Sequence, residues 1–108
     1  MPAVLVYVTT PDVESARTIG RSVVAEGLAA CANILDGMTA IFRWRGAIEE
    51  SSEAVLLLKT TQDRVDTLTS RLRDLHSYEV PCIVVLPITG GNPDFLAWIA
   101  SETGEAPR

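Results

Sequence analysis

The chain has one histidine and two cysteines. His76 and Cys82 share one short stretch, Leu75-His-Ser-Tyr-Glu-Val-Pro-Cys82, with Glu79 between them. Imidazole, thiolate and carboxylate are the usual ligands of copper and zinc, so His76, Glu79 and Cys82 form the candidate metal set. One imidazole and one thiolate do not complete a tetrahedral zinc site; Glu79, another carboxylate or copies from neighbouring chains must join them. Copper is the favoured ion, because Cu²⁺ tops the usual affinity series and Cu⁺ suits sulfur. A structural reading of the same residues stands beside this one. His76 falls where a helix ends, and an imidazolium there interacts favourably with the exposed carbonyls. Cys82 opens an apolar strand, where free cysteine packs as a small hydrophobe.

A second set could hold an anion. Lys59, the only lysine beside eight arginines, closes the apolar run Val-Leu-Leu-Leu-Lys. With Trp44, Tyr78 and Trp98 it could line a pocket between subunits. The plainer reading is a strand-end lysine with its head in water, and tryptophans that pack in the core or at an interface. Glu49, Glu50 and Glu53 read as a solvated hairpin tip, with a weak cation site as the alternative. Cys31 reads as a residue packed in the sheet.

The elements that must position these groups follow from pattern. Ala3–Thr10 is short, apolar and β-branched, as in a buried strand. Thr-Pro-Asp then predicts a helix start, with Thr10 as cap, Pro11 at the first helical position and Asp12 and Glu14 at the positive end of the dipole. Ala16, Ile19, Gly20, Val23 and Gly27 form its inward face, and Gly27 is placed to end it. Residues 31–46 read as a strand interrupted at Asp36-Gly37 by a bulge or turn, and residues 47–61 as the return strand after a tight reversal at Gly46. This hairpin is long, so its tip must project beyond the core. Val65, Leu68, Leu72 and Leu75 make the core stripe of a second helix over 62–75. Residues 81–88 form an edge strand flanked by prolines. Asn92 caps a third helix with Pro93 at its first position. The tail from Thr103 is expected to fray.

The order β-α-β-β-α-β plus a helix is the split-βαβ, ferredoxin-like pattern, an α+β antiparallel sheet. Right-handed crossovers place the first and third strands centrally and the second and fourth at the edges. A long bare edge needs a cover, and sister copies of the chain are the simple answer.

Composition narrows the partners. All 108 residues are read as one domain, and 47% hydrophobic content supplies a core. A net charge of −5 offers no basic footprint for nucleic acid. No apolar run approaches the ~20 residues of a membrane span. No signal segment is expected, and two cysteines make no disulfide framework, so the expected setting is the cytoplasm with reduced thiols.

Four stretches taken together are specific: Thr-Thr-Pro-Asp after the first strand, Gly-Leu-Ala-Ala-Cys-Ala-Asn-Ile entering the second, Phe-Arg-Trp-Arg-Gly through Leu-Leu-Leu-Lys-Thr in the hairpin, and His-Ser-Tyr-Glu-Val-Pro to Phe-Leu-Ala-Trp-Ile. They cover nearly the whole chain, which closely resembles the CutA divalent-cation-tolerance family. The resemblance implies a ferredoxin-like homotrimer packed through its sheets, similar in plan to PII signalling proteins. It implies a link to copper and other divalent cations, with no cofactor required and no catalytic reaction. The family pattern can place a cysteine where this chain has Val8 and a second histidine where it has Leu75. Three other functions share the fold. A PII-like sensor of small ligands is the main alternative; an acylphosphatase lacks its phosphate-cradling Arg and Gly in Thr-Thr-Pro-Asp-Val-Glu, and an RNA-binding sheet lacks its stacking aromatics.

Overall fold

The computed structural model describes residues 2–104. Strand β1 (Ala3–Thr10) lies between β3 (Ala47–Thr61) and β4 (Ile83–Pro87), and β2 (Cys31–Trp44) flanks β3, giving the antiparallel order β2-β3-β1-β4. Helix α1 (Val13–Ala25) follows β1, α2 (Val65–Leu75) follows β3, and α3 (Pro93–Glu102) ends the chain. The expected ferredoxin-like α+β fold is present, with β1 and β3 central and the proline-flanked β4 at an edge.

Alternation along the central strands decides where the core sits. Val4, Val6 and Val8 of β1 face the same side as Leu56 and Leu58 of β3, and all are buried. Ala16, Ile19 and Val23 of α1 and Leu68 and Leu72 of α2 close over them. Burying each large aliphatic side chain contributes roughly 1.5–3 kcal/mol, so this layer carries most of the stability. At Gly20 helix α1 lies tight against the sheet: a Cβ there would stand 3.1 Å from the Ala32 Cβ and 3.4 Å from Leu56.

Helix ends differ from expectation in instructive ways. Asp12, not Thr10, caps α1: its side chain accepts the Ser15 N–H at 2.7 Å, and Pro11 lies outside the helix. The Thr10 hydroxyl instead donates to the Asp12 carbonyl. The carboxylate, an ionised acceptor, takes the cap that a hydroxyl would fill more weakly. At the far end Gly27 adopts φ 73°, and the Gly27 and Leu28 amides donate back to Val24 and Val23, closing a Schellman turn. Residues 62–64 form a 3₁₀ turn before α2 rather than its first α turn. Strand β4 is shorter than 81–88. Its ladder with β1 ends at Ile83–Val8, because the next carbonyl on β1, that of Thr9, is taken by His76. Asn92 caps α3 as expected. Thr103 is buried, and its carbonyl accepts Arg64 Nε at 2.6 Å, so the chain is still held at the residue where fraying was expected to begin. The rest of that predicted tail, 105–108, lies outside the described residues.

The interruption at Asp36-Gly37 is a bulge, one of the two forms expected there, and the strand runs through it. Leu35 pairs with Val55 and Met38 with Glu53, so Asp36 and Gly37 together oppose Ala54 in a bulge. Side chains alternate with period two, so this single extra residue transfers Met38, Ala40, Phe42 and Trp44 to the face away from the helices. The reversal uses Arg45 at φ 50° and Gly46 at φ 83°, two positive values that make a two-residue turn of the primed kind favoured by strand twist. The ribbon stretches the molecule to 45 Å against 30 and 22 Å.

Candidate functional site: a cleft between the hairpin and the loop before β4

His76 caps the end of α2, buried and fully engaged. Its Nε2 lies 2.7 Å from the Thr9 carbonyl and its Nδ1 accepts the Tyr78 amide at 3.1 Å. A carbonyl only accepts and an amide N–H only donates, so the ring is the neutral tautomer with its proton on Nε2. Neither nitrogen has a lone pair left for a metal. The ring is also not the imidazolium expected against the carbonyls of α2; it ties the loop over 77–80 to β1.

The candidate metal set does not assemble within one chain. Among the described residues no three His, Cys, Asp or Glu side chains stand close enough to hold an ion. Cys82 is free and half-buried, and Glu79 accepts Arg45 Nη2 at 3.0 Å in an exposed pair.

The four residues of the predicted pocket also separate. Lys59 Nζ donates to Asn33 Oδ1 at 2.5 Å, lies 3.8 Å from Cys31 Sγ, and stands 5.9 Å from the Phe95 ring centre. Phe95 in turn packs on Trp98, 5.4 Å between centres. Lys59 and Trp98 thus belong to the end of the sheet under α3. Trp44 and Tyr78 meet elsewhere, in a cleft of about 480 Å³ beside the hairpin.

That cleft is built by the bulge and the His76 tie. The bulge puts Phe42 and Trp44 on one face with Glu49, the partner of Phe42, and with Ser51 and Glu53, the partners of Ala40 and Met38. The loop carries Tyr78 and Glu79 to the opposite wall, and Glu50, Ser77 and Val80 complete the lining. Glu53 is only 7% exposed, although the sequence reading put it at a solvated tip. The Ser51 hydroxyl donates to its Oε2 at 2.6 Å. Burial pushes the Tyr78 phenol above its ordinary value, and the neighbouring Glu53 carboxylate pushes the same way. At the mouth, the Arg45 guanidinium stands 5.3 Å from the centre of the Trp44 ring. Counting face parity through Asp36-Gly37 was the one signal that could have placed Glu53 with the aromatics.

The rest of this sheet face is apolar and thinly covered. Leu5, Tyr7 and Leu57 are half-buried on it, Val84 and Leu86 are exposed, and Leu35 is 55% exposed.

Residues 4–102 match the family described as "CutA1 divalent ion tolerance protein". The chain belongs to the CutA1 divalent ion tolerance family. It is 47% identical to the divalent-cation tolerance protein CutA of Thermus thermophilus, over 93% of this chain and 97% of that one. The solved structure of the Thermus thermophilus divalent cation tolerance protein superposes with a TM-score of 0.92 at 46% identity, covering 94% of this chain and 99% of that one. CutA1 from Oryza sativa superposes at 0.94 and 37% identity, covering 98% and 97%. The chloroplastic CutA of Arabidopsis thaliana is 39% identical over 95% of this chain, which spans 57% of that protein. Among the described residues no helix is long and apolar enough to cross a membrane.

Proposed function

We propose that this chain acts as a cytoplasmic homotrimer in the response to divalent metal ions, copper foremost, by binding or as a scaffold and without catalysing a reaction. The observation that carries this reading is similarity along nearly the whole of both chains to the Thermus thermophilus protein named for divalent-cation tolerance. The uncovered apolar sheet face and the bare edges of β2 and β4 support the assembly, since sister sheets would cover both. Two free cysteines fit a reducing compartment, and the charge of −5 fits no nucleic-acid partner. Within this assembly copper would draw on Cys82 and Glu79 from more than one chain, because His76 has no free nitrogen.

Two measurements test it. Light scattering across a wide concentration range is expected to return three times the chain mass; a well-folded monomer throughout removes the assembly. Calorimetric titration with Cu²⁺ is expected to show binding that weakens in Cys82→Ser and Glu79→Gln. Unchanged isotherms in both variants remove these ligands. A second reading, a small-ligand sensor in the manner of PII proteins, is favoured by one observation, the aromatic and acidic cleft.

A further inference from the structure

We propose that His76 is a pH-operated latch: a proton on its ring releases the loop over 77–80 from β1. This goes beyond the metal response and involves no metal. His76 is buried at the end of α2 and bridges two backbone groups, the Thr9 carbonyl through Nε2 and the Tyr78 amide through Nδ1. Only the neutral ring makes both bonds. A proton added at Nδ1 takes the lone pair that Tyr78 uses and sets N–H against N–H across a 3.1 Å contact. Two buried donors face to face are costly, so the amide leaves and the loop goes with it. Little else would hold it. Among the described residues no backbone–backbone hydrogen bond ties residues 77–80 to another element. Glu79 of this loop holds Arg45 at the hairpin turn, so the release also reaches the tip of the ribbon.

Protons reach the ring from the helix side. A cavity of about 300 Å³ lies between the start of α1 and the end of α2, and His76 lines it. Sheets packing on sister sheets leave that side in solvent. The charges around the ring come from several elements. Asp12 and Glu14, at the start of α1, share the cavity, and no basic residue does. Asp12 is engaged with the Ser15 N–H. Strand β1 presents Thr9 and Thr10, which carry no charge. Helix α2 presents its carbonyl end, with Arg73 and Asp74 exposed. From the loop, the Tyr78 ring stands 4.7 Å from the imidazole, with the Glu53 carboxylate beside the phenol and Glu79 turned to Arg45. The carboxylates and the end of α2 attract an imidazolium, whereas the Tyr78 amide demands the neutral ring. These opposed demands on one side chain are what make it a switch.

Because the tied state holds the neutral ring, the latch is closed at the alkaline end and opens as pH falls. The test follows the full chain, in its native assembly and without metal, by NMR from about pH 8 to about pH 5, the interval in which imidazoles ordinarily change charge. Ring nitrogen shifts are expected to report the Nε2–H tautomer at the alkaline end and protonation toward acid. Over the same step the protection factor of the Tyr78 amide should fall about tenfold, the size set by one lost hydrogen bond. The Leu56 and Leu58 amides, in the core ladder, should keep theirs. His76→Gln can still aim an N–H at the Thr9 carbonyl but takes up no proton, so its Tyr78 protection should stay level across the range. If His76→Gln does not fold, coincidence of the ring and Tyr78 midpoints in the unmutated chain carries the test. A ring that stays neutral to about pH 5, or one that protonates with Tyr78 still protected, overturns the proposal. So does loss of Tyr78 and Leu58 protection together, or a pH-dependent loop in His76→Gln.

Discussion

The two ends of one hairpin have opposite fates. On the near side of Asp36-Gly37, Ala32 and Ile34 of β2 pair with Leu58 and Leu56 of β3 beneath α1, in a dry layer. On the far side the same strands leave the helices behind. Ile41 and Ile48 are 67% and 66% exposed there, while Phe42, Trp44 and Glu53 turn inward to a cleft. Backbone pairing is the same in both halves. What differs is whether another element of the same chain lies over the sheet, so one half carries the core and the other leaves its face uncovered within the single chain.

The sharpest way to break this comparison is to truncate one aliphatic side chain in each half. Leu56→Ala leaves a hole under α1 and is expected to cost about 2–5 kcal/mol in urea unfolding. Ile48→Ala at the tip should stay within about 0.5 kcal/mol. A comparable loss at Ile48 would mean that the tip is covered, and the contrast would fail. Next comes the tie between the halves. His76→Ala leaves the Thr9 carbonyl and the Tyr78 amide without partners, with an expected cost of about 1–3 kcal/mol and faster hydrogen exchange at the Tyr78 amide. Unchanged exchange would show that the loop is held some other way.

Two smaller effects sharpen the picture. Gly37→Ala meets no steric obstacle but must adopt φ 73°, so it should cost about 1–2 kcal/mol from backbone strain alone. Its largest chemical-shift changes are expected across the cleft, at Phe42 and Trp44, rather than in the core. At the opposite end of the molecule Asp12 caps α1, and the Ser15 N–H holds its carboxyl below the ordinary 3.8. A depressed acid contributes stability that is complete above its unfolded value and is lost as pH falls through the folded value. Asp12→Asn should therefore flatten the loss of stability below about pH 4. An unchanged acid limb would assign that loss to other carboxylates.

Much of this was readable before any coordinates. The apolar strands, the 3-4-3 leucine spacing of α2, Gly27 at a helix end and Asn92-Pro93 at a helix start each report a local rule, and local rules are written in neighbouring residues. The ladder order followed from the handedness of crossovers. The site was read less well, because it depends on parity across a bulge and on a loop folding back. Trp44, Lys59, Tyr78 and Trp98 looked like one pocket on the strength of residue type. The sheet divides them, two to the cleft and two to the end under α3.

By itself, the order of residues determined the elements, their sequence along the chain, the family and the apolar layer. These depend on spacing of two or 3.6 and on caps within a few positions. Tertiary structure alone decided that His76 reaches the Thr9 carbonyl, that Glu53 is buried in the cleft lined by Tyr78, and that Arg45 pairs with Glu79. Those facts depend on groups far apart in the chain meeting at hydrogen-bond distance, and no local pattern encodes such a meeting.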